Sequence, residues 1–228
     1  MYTNVNLAAP LGALALLVTG FLLLVLGVAL VYSVISKKPR LRKFALLAMA
    51  LIGSLYLSAL LIFSFASSEK VLAQGQKKHF CEIDCHLAYS VTNVQETKTL
   101  GEGSDQVTAN GTFRVVTIQT RFDETTIGRG RGDGLLYPNS RVVVVSDENG
   151  KEFFPSTVAQ GLLEKSHTAG TRMTIPLRPG ETYSTTLVFD LPADVKSPTL
   201  LIHEGESLTR FVIGHENSFL HQKTRFQI

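Results

Sequence analysis

Two uninterrupted apolar runs open the chain, at residues 8–35 and 44–66, and between them lies SKKPRLRK, which holds every charge of the first 68 residues. Each run exceeds the ~20 apolar residues that carry a helix across a bilayer core, and a helix satisfies its own backbone inside lipid. The pattern therefore predicts a transmembrane helical hairpin over 1–68 with its loop at 36–43. A cleaved signal peptide would start with basic residues and carry a shorter apolar stretch, whereas residues 1–6 are uncharged. Gly20 and Gly27 in the first span, and Ala50, Ser54 and Ser58 in the second, have spacings that let helix backbones approach closely. They are expected to pack the hairpin on itself.

Beyond the hairpin the pattern changes from continuous to alternating. From Cys81 to Val91 the odd positions are Cys, Ile, Leu, Tyr and Val, while the even ones are mostly polar. That is the period of an extended strand with one buried face. Further strands are predicted at 112–122, 141–146, 151–154, 173–177, 181–190, 200–203 and 210–213, with turn chemistry at 147–150 (DENG) and at Pro179-Gly180. No stretch after the hairpin shows a convincing 3.6-residue apolar period, so 123–138 and 159–171 read as long loops. Seven or eight short strands predict one all-β domain at 81–228, a two-sheet sandwich behind a linker at 69–80.

Charge orients this plan. Lys37, Lys38, Arg40, Arg42 and Lys43 fill the short loop, and positive loops stay in the cytoplasm. The N-terminus and the C-terminal domain then lie on the outer side, the periplasm if the membrane is a bacterial inner (cytoplasmic) one. The same five residues suit contact with anionic lipid headgroups. The net charge of +3 dissolves once the loop is set aside, because the other 17 basic residues face 19 acidic ones. A near-neutral outer domain lacks the basic footprint of a nucleic-acid binder. The partners expected are membrane lipids and an unidentified membrane or periplasmic protein.

Three stretches carry a family resemblance: GTFRVVTI from Gly111, VSDENGKEFFPS from Val145, and LRPGET from Leu177 with LVFDLP from Leu187. Together they resemble a family of immunoglobulin-like extracellular domains of unknown function, found in bacterial lipoproteins and membrane-anchored proteins and often described as telomeric-repeat-binding-factor-like. The resemblance covers residues 111–201 and implies an immunoglobulin-like antiparallel β-sandwich in an outer location. It implies no reaction. Arg121 and Phe122 stand where the family usually places an Asn.

Chemistry concentrates where the chain leaves the membrane, in His79, Cys81, Glu82, Asp84, Cys85 and His86. Four readings compete. Cys81 and Cys85 in an ideal strand are core thiols ~13 Å apart, beyond disulfide reach. If the segment curls, they form a local Cys81–Cys85 disulfide. Thiolate and imidazole from Cys81, Cys85, His79 and His86 would suit copper or zinc. Covalent haem is the fourth reading, although C-x-x-x-C-H is one residue longer than the attachment signal.

A two-span hairpin before an outer sandwich, with a C-x-x-x-C spacing, is also similar to subunit II of the haem–copper oxidases. That resemblance implies a copper or redox module serving electron transfer or respiratory-complex assembly. However, Ile83, Tyr89 and Thr92 occupy the positions where that family has its Glu, His and Met ligands.

The pairs His203-Glu204 and His215-Glu216 read as solvated loop residues, and GRGRGDG at 128–134 as a flexible loop with the shape of an anion-binding nest. No G-x-S-x-G, H-E-x-x-H or P-loop pattern gives an enzyme class a positive signal. The expectation is a non-enzymatic, cofactor-free binding or scaffolding protein of the membrane surface, with the redox module as its rival.

Overall fold

The computed structural model describes residues 2–81, 86–126 and 130–228. They divide into two compact units. One holds the residues up to Asn4 with Glu69–Gly205 and Lys223–Ile228, and the other Val5–Ser68 with Glu206–Gln222. This division departs from the expected boundaries, since the stretch 206–222 groups with the hairpin and the linker expected at 69–80 belongs to the β-rich unit.

The hairpin unit contains α1 (Ala9–Ile35) and α2 (Pro39–Phe65), both long and apolar enough to cross a membrane. At 1.5 Å per residue each is ~40 Å long, more than a ~30 Å hydrocarbon core requires. The turn is shorter than the expected 36–43. Pro39 sits in the first turn of α2, where its missing N–H has no intrahelical partner to lose, so Arg40, Arg42 and Lys43 lie on the helix. Lys37 takes the reversal with φ +50°, and Lys38 Nζ donates to Tyr32 OH at 3.2 Å.

The small residues do not pack the hairpin as expected. A Cβ on Gly20 or Gly27 would meet nothing within 4 Å, and Ala50, Ser54 and Ser58 are exposed. The buried positions are Ala9, Gly12 and Ser33 of α1 and Ala45, Leu60 and Ser64 of α2. Both helices are apolar all round, so small-residue spacing alone does not single out a contact face.

The β-rich unit holds ten strands among the described residues: β1 (Tyr2–Thr3), β2 (Lys70–Leu72), β3 (Lys78–Phe80), β4 (Leu87–Leu100), β5 (Val107–Phe122), β6 (Arg141–Ser146), β7 (Glu152–Phe153), β8 (Thr182–Leu191), β9 (Thr199–Glu204) and β10 (Thr224–Gln227). They form two five-stranded sheets, ordered β1-β3-β4-β5-β8 and β2-β10-β9-β6-β7. The pairs β1–β3 and β2–β10 are parallel, so both sheets are mixed rather than wholly antiparallel. Their facing sides share one core of Phe80, Tyr89, Val116, Ile118, Phe122, Val145, Phe189, Leu200, Ile202 and Phe226, among others. Burying apolar area of this kind contributes roughly 25 cal/mol per Å².

Several local expectations give way. The strand expected from Cys81 starts at Leu87, and its first five residues are buried on both faces, Ala88 and Ser90 included. Residues 173–177 contribute only a single bridge from Leu177 to Leu136. The strand expected at 210–213 is replaced by a 3-10 turn at Ser207–Phe211. The hairpin at 147–150 forms as expected: Asp147 N donates to Lys151 O, Gly150 N donates to Asp147 O, and Gly150 has φ +79°.

The loop expected at 159–171 contains α3 (Thr157–Lys165), capped by Ser156 Oγ, which accepts from Ala159 N. The domain is therefore not all-β. A nine-residue helix with Gly161 inside shows too little period to stand out. Its Ala159 and Leu163 pack on Phe113 and Val188 of the first sheet.

That helix and the turn after it also close the outer edge of β8. Ser156 N donates to Val188 O at 2.7 Å, Thr186 N to Ala169 O at 2.8 Å and Thr171 N to Ser184 O at 2.8 Å. Gln160 Nε2 donates to Thr186 O at 3.0 Å. An edge strand left open is a template for pairing with another chain, and here it is covered.

Candidate functional site

The residues around Cys81 form a knot of polar groups built from three parts of the β-rich unit. Asn4, just past β1, is buried; its N donates to His79 O at 3.0 Å, its Oδ1 accepts from Cys81 N at 2.8 Å, and its Nδ2 donates to Glu204 Oε1 at 2.6 Å. Cys81 is disulfide-bonded, and Cys85 is the other cysteine of the chain. The pairing expected between them falls in part on Cys85, which lies outside the described residues, as do Glu82 and Asp84. A cysteine held in a disulfide has no thiolate to offer a metal.

The two histidines expected beside it are drawn to different partners. His79 Nε2 lies 3.0 Å from Asp123 Oδ2, and its Nδ1 is buried without a hydrogen-bond partner among the described residues. His86 Nδ1 lies 2.5 Å from Thr126 Oγ1, and its ring stacks on Phe122 at 5.5 Å between centroids.

Asp123 is the hub that the sequence reading missed. Buried just after β5, its Oδ2 also accepts from Lys77 Nζ at 3.1 Å, while its Oδ1 accepts from Thr125 N at 3.2 Å and Thr125 Oγ1 at 2.7 Å. Burial alone would raise its pKa. The hydrogen bonds from Thr125, His79 and Lys77 outweigh that and hold the carboxyl well below its ordinary value. Asp-x-Thr is the signal that was available, because an Asp side chain bonding the backbone two residues on defines an Asx turn.

Two further cations are buried between the sheets. Lys78 on β3 reaches across to donate to Ile202 O and Thr224 O, both at 3.0 Å. The guanidinium of Arg141 on β6 lies 4.4 Å from the Phe80 ring centroid and 4.0 Å from Glu204 Oε1. Buried charges persist where carbonyls, carboxylates or ring faces receive them. Glu204 is thus part of an interior network rather than a solvated loop, and His215 and Glu216 are buried as well. In the Gly-rich stretch, residues 127–129 lie outside the described ones, while Asp133 Oδ2 accepts from Arg178 Nη1 at 3.3 Å.

Beside Arg141 the β-rich unit opens into a cleft of about 790 Å³, lined by Arg141, Val142, Val143, Phe154, Met173 and Leu187, among others. The alternation of strand hydrogen bonds defines one wall. Asp147 N donates toward β7, so Val145 and Val143, two and four residues back, turn their N–H and C=O the same way. Phe153 pairs with Val145. The next partner, opposite Val143, would be Pro155, which has no N–H, and Ser156 N instead bonds Val188 O in the other sheet. Beside Val143 no strand among the described residues pairs with this edge of β6, and Val143 lines the cleft.

The fold and sites define a class: a β-rich unit of two mixed five-stranded sheets in a chain that also carries a pair of membrane-length helices. No family model matches the chain, and no curated protein matches it. Three solved structures are similar at low identity. A conserved hypothetical protein from Bacillus anthracis aligns at 16% identity, covering 59% of this chain and 91% of its own, with a TM-score of 0.41. The secreted protein MPT63 of Mycobacterium tuberculosis aligns at 9% identity over 71% and 98%, with a TM-score of 0.42. The yjhA protein from Bacillus subtilis aligns at 12% over 70% and 99%, with a TM-score of 0.41.

Proposed function

We propose that this chain is a non-catalytic binding protein that holds a partner polypeptide at the outer surface of a bacterial cytoplasmic membrane. Its two helices span the bilayer with the basic turn inside. Its outer unit is an immunoglobulin-like sandwich that accepts an extended segment of the partner along β6. The observation that carries the binding role is the uncovered edge beside Val143, facing a cleft with apolar walls, in a domain that covers the comparable edge of β8 with α3. Adding a strand to an open edge supplies main-chain hydrogen bonds, while flanking pockets select side chains.

The parallel pairing of β1 with β3 supports the two-span topology, because a strand that precedes the hairpin and one that follows it then share one sheet. The basic turn supports its orientation. A photo-crosslinking residue at Met173, compared in native membranes with one at Asp105 on the exposed turn at Gly103–Asp105, tests the binding role. A discrete adduct from Met173 alone is expected. Uncrosslinked protein from both positions would end the proposal.

The disulfide at Cys81 favours one second reading, a redox-responsive site in which a dithiol reductant returns Cys81, two residues after His79, and its partner cysteine to thiols. Copper or zinc would then have ligands only in the reduced state.

A further inference from the structure

The stretch Glu206–Gln222 groups with the two long helices, and its side chains are arranged inside out for a water-facing segment. Leu208 is 74% exposed, Phe211 53%, Phe219 59% and Leu220 51%, whereas His215, Glu216 and Ser218 are buried. Polar groups inside and large apolar groups outside is the arrangement expected of a surface that faces hydrocarbon.

The backbone tells the same story. The segment has neither a strand nor a long helix, yet its polar groups are bonded within the unit. Val212 O accepts from His215 N at 3.2 Å and from Ser218 Oγ, and Phe219 N donates to Arg210 O at 2.9 Å. Ser218 N donates to His215 O at 2.9 Å, and Asn217 N donates to His215 Nδ1 at 2.9 Å. Thr209 Oγ1 donates to Glu206 O at 2.6 Å. Irregular backbone is tolerated near lipid only when its groups are satisfied in this way.

The helices fix its depth. Tyr56 OH of α2 donates to Phe211 O at 2.5 Å, Asn6 N donates to Gly214 O at 3.4 Å, and Val5 bridges His215. Gly12 lies so close to Ile213 that a Cβ there would collide with its carbonyl. Gly12 is one turn into α1, while Tyr56 is ~13 Å along α2 from its outer end at 1.5 Å per residue. A ~40 Å helix in a ~30 Å core leaves ~5 Å at each end. The segment therefore sits where interfacial elements bury their apolar side chains, ~5–10 Å into the boundary between headgroups and acyl chains.

We infer that Glu206–Gln222 is a membrane-embedded interfacial loop, whose Leu208, Phe211, Phe219 and Leu220 insert into the outer leaflet of the bilayer around the hairpin. The inference rests on the spanning hairpin proposed above. Its occupant is lipid, argued from continuity with the helices that the segment is bonded to. Exposed Arg210 stands among the apolar residues, placed for a headgroup phosphate.

The chain has no tryptophan, so a single introduced one reports its own surroundings. Full-length Phe211→Trp and Phe219→Trp would be placed in phosphatidylcholine–phosphatidylglycerol nanodiscs made with and without brominated acyl chains. Phe21→Trp on α1 serves as the spanning reference and Tyr137→Trp as the outer-domain reference, since both native residues are exposed. At least twofold quenching by brominated lipid, with protection from aqueous acrylamide, is expected for Phe211→Trp and Phe219→Trp as for Phe21→Trp. If both instead behave like Tyr137→Trp while Phe21→Trp is lipid-quenched, the loop inference is overturned and the hairpin reading stands. If Phe21→Trp itself escapes lipid quenching, the spanning reading fails and the loop inference fails with it.

Discussion

Replacing Asp123 by Asn tests whether the polar knot is held by charge or only by shape. The amide matches the carboxylate in size but turns one acceptor into a donor. With its oxygen toward Thr125, its NH2 faces Lys77 Nζ and His79 Nε2; flipped, it faces the Thr125 N–H and hydroxyl. The first orientation loses the Lys77 bond and, unless His79 changes tautomer, the His79 bond; the second loses the bond from Thr125 N, while the Thr125 hydroxyl can turn to accept. In the first orientation, Lys77 is 40% exposed and swings into water, costing about 0–1 kcal/mol as for a surface pair.

His79 is buried and has no such escape. Accepting from the Asn amide would move its own proton to Nδ1, which is buried without a partner among the described residues. An unpaired buried donor costs about 1–3 kcal/mol. The sum is about 1–4 kcal/mol, equivalent to a drop of about 2–16 °C in Tm at roughly 2–4 °C per kcal/mol for a domain of this size. Thermal unfolding of the full chain in detergent, followed by near-ultraviolet circular dichroism, reads it.

The pH dependence gives the charge its signature. Because the folded pKa is depressed, the stabilisation is present above the unfolded value of ~3.9 and is lost as pH falls below it toward the folded pKa. The gap between wild type and variant should thus be full at pH 6–7 and shrink below about pH 4. A Tm change under ~1 °C, or a gap that stays constant down to pH 3, refutes the reasoning.

Orientation is read by single-cysteine labelling in a Cys81→Ser/Cys85→Ser background. A membrane-impermeant maleimide on intact cells should label Asn149→Cys and leave Ser36→Cys unlabelled, and the reverse result would invert the topology. Metal analysis with thiol counting checks the redox reading. The oxidised chain should show no free thiol and no stoichiometric copper or zinc, and stoichiometric metal before reduction would contradict a site that opens only on reduction. A ring as short as Cys81–Cys85 contributes only about 2 kcal/mol through chain entropy, so the double variant should still fold, and its unfolding would show that the bond does more than close a ring.

The hairpin and the central strands were legible because each rests on a long, local pattern. Twenty apolar residues in a row, or the alternation in β5, β6 and β8, stand out without any tertiary information. The short pairings were not. β2, β3 and β10 have three or four residues each, too few for a period, and they exist because distant partners align them. Cys81 illustrates the opposite error, since its alternation was genuine but the strand begins only at Leu87. At the site, the cysteines and histidines drew the eye by type. Asp123 and Asn4 do the connecting, and only the three-dimensional meeting of residues 4, 79, 81 and 204 reveals Asn4 at all.

On the proposed two-span topology, Asn4 also ties completion of the β-rich unit to correct threading of the two helices. The residue is made before either span, and its partners His79, Cys81 and Glu204 are made after both. If the first span failed to insert, Asn4 and β1 would be stranded across the bilayer from β3, leaving Glu204 without its amide and β3 as a bare edge. Under that topology, assembly of the sheet is a proofreading step, completed when Asn4 and β3 have reached the same side of the membrane.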